Sequence, residues 1–269
     1  MNLTATRRRG LTNFDIKVLG ITLMFIDHFH EMFAAAGAPN WLDWFGRPVA
    51  TIFMFLSVEG FTHTHDQRRY LSRLLIGFWV MGIGNLVVQH FFSMGNFGLM
   101  NNIFSDLFIG VLTMYGLQTI ADGHRDHRLG NILLGIGIII LPLLFAGILI
   151  GFIGTGNPSI FYKAIVIAIP TPITAENSFF LYLGPVMYLL RNKRSWQMLA
   201  LAAFAFLSTG FNFSSLLSEN TQWMMAFAII PLVMYNGKLG RSMKGFFYAF
   251  YPIHIWLLYI IASLLGVRA

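Results

Sequence analysis

The sequence predicts an all-α, polytopic integral membrane helical bundle of about nine transmembrane helices, within a range of roughly eight to ten. Three observations predict it. Of 269 residues, 56% are hydrophobic and only 11% are charged, against about 25% charged in soluble domains; mean hydropathy is +0.66. Apolar runs of about 20 residues, the length that crosses a bilayer as a helix, recur along the chain. Of the 18 Lys and Arg, all but Arg47, Lys163 and Arg268 lie in the N-terminal arm, at the cytoplasmic end of span one (Lys17) or in short loops on one side of the predicted alternation. That asymmetry is the orientation signal of multi-pass proteins, and it accounts for the net charge of +7 without a nucleic-acid partner. Alternating strand patterns are absent, which argues against a transmembrane barrel. No polar segment exceeds a loop, so residues 1–269 read as one transmembrane domain. Zero cysteines exclude disulfides, thiolate catalysis and Cys-ligated metals.

Arg7, Arg8 and Arg9 place the N-terminus in the cytoplasm. The first span, Phe14 to Ala36, is too polar for a cleavable signal and lacks a small-residue cleavage site near its end. An external turn, Gly37 to Trp44, leads to span two, about Phe45 to Thr64. The basic loop His65 to Arg73 is cytoplasmic, and span three runs from about Leu74 to Phe92. Span four, about Ile103 to Ala121, follows an external loop and ends at basic DGHRDHR. Span five, about Leu129 to Ile153, carries Pro142 as an expected kink. Gly154 to Thr174 has too short an apolar core to cross and reads as an external re-entrant or interfacial segment. Spans six to nine cover about Glu176 to Leu190, Trp196 to Phe211, Gln222 to Tyr235 and Phe246 to Leu265, the last ending outside. The alternation leaves the N-terminus and every basic loop in the cytoplasm.

Span one is the chemically loaded one. It carries Lys17, Asp27, His28, His30 and Glu31, and each ionisable group in hydrocarbon costs a few kcal/mol. Advancing about 100° per residue from Lys17, Asp27 falls near 280°, Glu31 near 320° and His28 near 20°, so the four share one seam. His30, near 220°, points elsewhere on that wheel. A seam of this kind is a functional site by default. His28 is the natural general base near neutral pH, with Asp27 as a carboxylate to orient or polarise it. Adjacent residues on a helix do not face each other, so the partner of His28 can come from another span. Lys17 and His28 stand about 16 Å apart along the helix with almost no rotation, a cation at the mouth and a base inside.

Other residues join as candidates. Arg47 opens span two from the outside, where it has no orienting role, and either pairs with Asp43 or Glu31 or binds substrate. Glu59 and His63 share a face near the inner surface. Arg68, Arg69 and Arg73 form the densest cationic patch, either as topology markers or as phosphate ligands. Asn101, Asn102 and Asp106 cluster at the outer end of span four. His254 follows Pro252 in span nine, where it either satisfies a carbonyl freed by the kink or binds substrate. The His residues lack HExxH or HxxxH spacing, so no metal is expected.

Taken together, IKVLGITLMFIDH (Ile16 to His28), GRPVATIFMFLSVEGFTHTHDQRRYLSRL (Gly46 to Leu74), NNIFSDLFIGVLTMYGL (Asn101 to Leu117), WMMAFAIIPLVMYNGKLG and FFYAFYPIHIWLLY resemble the TraX family, polytopic membrane proteins typified by the F-pilin acetylase. The pattern covers most of the chain, least distinctively from Gly123 to Trp196. Lys17-x10-His28 is also similar to the basic-x10-His motif of wider integral-membrane acyltransferases, whose His is considered catalytic. The arginines after span two resemble their donor-binding arginines, although Arg69-x3-Arg73 is spaced more widely. The resemblance implies transfer of an acetyl group from cytoplasmic acetyl-CoA to an amine acceptor, a small pilin-like protein or another amine. On that reading His28 and Asp27 are catalytic, and Lys17, Arg68, Arg69 and Arg73 bind the donor. Glu31, Arg47, Glu59, Asn101, Asn102, Asp106 and His254 face the acceptor. The alternative is a proton-coupled transporter or flippase using the same seam as a relay; a scaffold in a pilus assembly predicts no titratable dependence.

Overall fold

The structure, a computed structural model, describes residues 10–153, 160–175 and 181–268. It is helical throughout, and among the described residues β pairing is limited to isolated bridges. The first helix, α1, runs Asn13–Phe33. Thr12 caps it: its side chain accepts from the Asp15 backbone N–H, and the Asp15 carboxylate accepts from the Thr12 N–H at 2.8 Å, which satisfies two of the orphan donors at a helix start. Leu11 bridges to Tyr235 just before the cap, with Leu11 N–H donating to the Met234 carbonyl at 2.9 Å. The start of α1 is therefore anchored to the turn that precedes the last helix.

A 3-10 segment, Asn40–Phe45, folds back along α1 before α2, Val49–His63. Most of α2 is buried, and it packs against α1, α4 (Ile103–Arg125) and α7 (Leu183–Leu189). Between α2 and α4 lies α3, Gln67–Phe91, capped by Asp66, whose carboxylate accepts from the Arg69 N–H at 2.8 Å. That cap starts the helix earlier than the sequence reading, which treated His65 to Arg73 as a loop. Arg68, Arg69 and Arg73 thus sit on the opening turns of α3, since an Asp cap followed by long straight side chains favours helix.

The pair formed by α4 and α5 (Leu129–Ile153) is the closest in the fold. A side chain at Gly135 would run into the Gly116 carbonyl, and one at Gly116 into the Gly135 carbonyl, the small-residue contact that lets transmembrane backbones touch. Helix α5 continues through Pro142. The short α6, Ile160–Ala168, leans on α3 and α5, with Trp79 Nε1 donating to the Ala168 carbonyl at 2.9 Å. At nine residues it is too short to cross, as the sequence reading of that segment held; residues 154–159 of it lie outside the described ones. After α7 come α8 (Arg194–Leu207), a 3-10 segment Gln222–Ala228 continuous with α9 (Ile229–Val233), and α10 (Lys244–Leu264). The last packs on α1 and α3.

Among the described residues, five helices are long and apolar enough to cross a membrane: α1 with the 3-10 turn that follows it, α3, α4, α5 and α10. Their outer faces carry large exposed apolar side chains, such as Ile76, Ile83, Leu133, Leu144 and Leu257, as a multi-pass membrane protein requires. The expected spans two, six, seven and eight form shorter helices. Residues 176–180, at the start of the expected span six, and Arg7 to Arg9 lie outside the described residues.

Candidate functional site

Two cavities enter the bundle from opposite ends of α1 and share the side chains of Met24, Ile103 and Tyr251. The one at the C-terminal end, about 390 Å³, is lined by three carboxylates, Asp27, Glu31 and Asp43, with His28, His30 and Arg47. We refer to it as the acidic cavity. The other, about 530 Å³, opens beside Lys17, His63 and Arg73 and is walled by Tyr70, Tyr235, Tyr248 and Phe247; it is the aromatic cavity. Four of its walls come from α1, α2, α4 and α10, because the mostly buried α2 lies between α1 and α4 while α10 closes on α1.

His28, only 2% exposed, stands on the acidic cavity. Its Nδ1 lies 2.8 Å from Nε2 of His254, also buried, on α10. In turn, Nδ1 of His254 donates to the Phe250 carbonyl at 2.7 Å, and its ring stacks on Phe250 with centroids 4.6 Å apart. The orienting partner of His28 therefore comes from another helix. On the other edge of the ring, His28 Nε2 is 3.9 Å from Oε2 of Glu31, near enough to attract but too far to hydrogen-bond directly. Asn101 Nδ2 holds the Glu31 carboxylate, 3.2 and 3.0 Å from its two oxygens. Asp27 lies against the backbone of Gly46, where any side chain would collide with its carboxylate; Gly46 is what lets α2 begin so close to α1.

At the acidic mouth Arg47 grips Asp43 with Nε (3.1 Å) and Nη2, and its Nη1 donates to Gln222 at 3.2 Å. Thr221 also donates to Asp43, at 3.2 Å. This tie joins the 3-10 segment, the entrance to α2 and the segment before α9. Tyr251 sits where the cavities meet, and its hydroxyl oxygen accepts from the Ile103 N–H at 2.9 Å.

The remaining candidates divide clearly. Lys17, Glu59 and Arg73 line the aromatic cavity. Glu59 faces Arg194 Nη2 at 3.5 Å, and the Arg194 guanidinium lies over Phe55 at 4.4 Å. Arg68 and Arg69 are exposed and line neither cavity; Arg68 donates to the Tyr115 hydroxyl at 3.2 Å. Asn102 and Asp106 are buried at the start of α4 and line neither cavity, Asn102 donating to the Phe78 carbonyl at 3.2 Å. His254 stands behind His28 rather than on a cavity wall. His30 lines the acidic cavity after all: the wheel ignored the 3-10 segment that folds back along α1 and builds a wall on that flank. Sequence reasoning missed Tyr251, Gln222 and Arg194. Tyr and Gln carry no charge to flag them in a span, and Arg194 was hidden in the basic RNKR run.

The family model described as TraX protein matches residues 14–152 and 136–262. The chain belongs to the TraX family. A Dichelobacter nodosus protein described as "Probable fimbrial assembly protein FimC, serogroup H1" is 27% identical to this TraX chain over 276 residues, covering 94% of the chain and 96% of that protein. No solved structure matches. The TraX match spans both cavities and each element that builds them.

Proposed function

We propose that the protein is an acetyl-CoA-dependent N-acetyltransferase of the bacterial inner membrane, with a cytoplasmic N-terminus and nine crossings completed by the shorter helices. Its acceptor is an amine at the end of a pilin-like subunit, in keeping with the family and with the fimbrial relative. The observation that carries the reading is the meeting of two oppositely furnished cavities at Tyr251, next to His28. The aromatic cavity fits an elongated anionic donor: Lys17, His63 and Arg73 stand at its mouth, and its inner walls are apolar or phenolic. The acidic cavity fits a cation, since its carboxylates outnumber Arg47, which is already engaged by Asp43.

Acetyl-CoA would supply an activated acetyl group as a thioester. Glu31, steadied by Asn101, holds the incoming ammonium, which releases one proton to bulk water at the cavity mouth to become a nucleophile. His28 Nε2 takes a second proton as the nitrogen bonds to the acetyl carbon and the thioester C–S bond breaks. That proton neutralises the departing CoA thiolate, leaving an amide and free CoA. The Tyr251 hydroxyl, at the cavity junction, is placed to donate to the carbonyl oxygen as it gains charge. A hydrogen-bond chain that ends on the Phe250 carbonyl favours this reading over a proton-coupled transporter, because a backbone carbonyl accepts a hydrogen bond but passes no proton on.

The test uses full-length protein in lipid nanodiscs with acetyl-CoA and a peptide bearing a free α-amine. Mass spectrometry should find the acetylated α-amine, with one CoA thiol released per acetyl group. Absence of that product, with proton-driven flux in sealed vesicles, would replace the enzyme with the transporter.

A further inference from the structure

We infer that His254 is a positioning residue, holding His28 in the tautomer whose bare Nε2 faces the acidic cavity. The inference deepens the acetyl-transfer reading, but its structural part can be tested without any acetyl donor. The argument begins at the Phe250 carbonyl, which can only accept a hydrogen bond. Nδ1 of His254, at 2.7 Å, must therefore carry the hydrogen. In neutral His254 that leaves Nε2 with a lone pair and no hydrogen. His28 Nδ1, 2.8 Å away, is then obliged to be the donor. Its own hydrogen spent on Nδ1, neutral His28 has an unprotonated Nε2, and that nitrogen is the one beside Glu31. The carbonyl of one helical turn thus dictates, through two rings, which nitrogen can act as a base.

The arrangement also survives the proton it is built to accept. When Nε2 of His28 gains a proton, Nδ1 still donates to His254, and the new N–H faces the Glu31 carboxylate 3.9 Å away. No hydrogen bond in the pair has to reverse, so the environment is already arranged for the charged state. His254 cannot swing to another partner cheaply: it is 5% exposed and stacked on Phe250. Its bond to a carbonyl two residues before Pro252 fixes the ring beside that proline in α10. Such tautomer-fixing by a neighbour is worth a large factor in catalysis even when the neighbour never touches substrate.

The experiment combines nitrogen-15 histidine spectra of the full-length protein in nanodiscs with acetyl-transfer kinetics. His28 is assigned by the signal that His28→Gln removes. Wild type should show His28 protonated on Nδ1 and bare on Nε2. His254→Phe, which fills the space but cannot accept, should move the hydrogen to Nε2 and lower kcat by about 10²- to 10⁴-fold, with KM for the amine little changed. In His254→Gln the side-chain oxygen can accept from His28 Nδ1 while the amide N–H₂ reaches the Phe250 carbonyl. It should keep the wild-type tautomer and stay within about tenfold of wild-type kcat, roughly 1.4 kcal/mol. Nε2–H in wild-type His28 would overturn the proposal. So would a His254→Gln protein that folds yet loses as much kcat as His254→Phe, because His254 would then be packing alone. If His254→Phe fails to fold, the wild-type spectrum and His254→Gln decide. Wild type with the expected tautomer but no acetyl transfer supports the positioning role and removes the acetyl-transfer reading instead.

Discussion

The acidic cavity presents Asp27, Glu31 and Asp43 around His28, whereas the aromatic cavity presents Lys17 and Arg73 at a mouth walled by tyrosines. In the first, the cation Arg47 is tied to Asp43; in the second, the anion Glu59 faces Arg194. The acidic end thus carries more carboxylates than cations on its lining, and the aromatic end more cations than carboxylates. On the proposed reading an anionic donor and a cationic acceptor enter from opposite ends of one helix and meet at Met24, Ile103 and Tyr251. A soluble transferase can bring both substrates in through one mouth. Substrates that approach from opposite sides of a bilayer, as that reading has them, need two.

The largest expected effect breaks the comparison at its junction. His28→Ala should retain binding at both ends and lose acetyl transfer by about two to four orders of magnitude, the usual worth of a positioned base. Donor binding by calorimetry and single-turnover product formation together check it. Full turnover by the variant would return the whole seam to a structural role. His124→Ala, in the last turn of α4 and on neither cavity, is the proper control, since His30 shares the acidic cavity with His28.

Much of this was legible in the residues. Lys17, Asp27, His28, His30 and Glu31 in one apolar run cannot all face lipid, and the structure puts Asp27, His28, His30 and Glu31 on one cavity and Lys17 on the other. Periodicity also located the five long helices, because a bilayer demands uniform length and apolarity. The shorter helices were less legible: α2 is mostly buried, so its pattern has no broad exposed face to mark its limits. Pairings between distant residues were not legible at all. Nothing in the sequence links His28 to His254, 226 residues apart, or Arg194 to Glu59. Arg68 and Arg73 look equivalent in sequence, yet a helix that begins at Gln67 turns only the second toward the aromatic cavity.

Next in size is the amine end. Glu31→Gln keeps the shape that Asn101 holds but removes the charge, and a hydrogen bond to a charged group is worth about 1.5–3 kcal/mol. KM for the amine should rise by about tenfold to a hundredfold, with donor affinity unchanged. A selective rise in donor Kd would mean that the two ends are not independent.

A smaller effect is expected at the donor end, where the mouth is open to water. Arg73→Ala should weaken donor binding about threefold to tenfold and flatten its dependence on salt, since an exposed charge is screened. Arg68→Ala should leave both unchanged, because that side chain is directed to Tyr115. Equal losses in the two variants would mean that the cationic patch acts as a diffuse field rather than through the cavity mouth.

The smallest effect on turnover is expected at Arg47, where sequence reasoning left substrate binding and ion pairing open. Its guanidinium spends Nε and Nη2 on Asp43 and Nη1 on Gln222, so few donors remain for a ligand. The pair is only partly buried, with side chains 31% and 25% exposed, and a pair in that setting contributes about 1 kcal/mol or less. Arg47→Ala should therefore lower the melting temperature in detergent by a few degrees, while KM for the amine stays within about threefold of wild type. Removing the partner as well tests the assignment. In Arg47→Ala/Asp43→Asn the stability loss should be smaller than the sum of the two single losses, because each single change strands the other's charge beside the cavity. Additive losses, together with a large rise in KM from Arg47→Ala alone, would make Arg47 a ligand of the acceptor and move a positive charge into the working face of the acidic cavity.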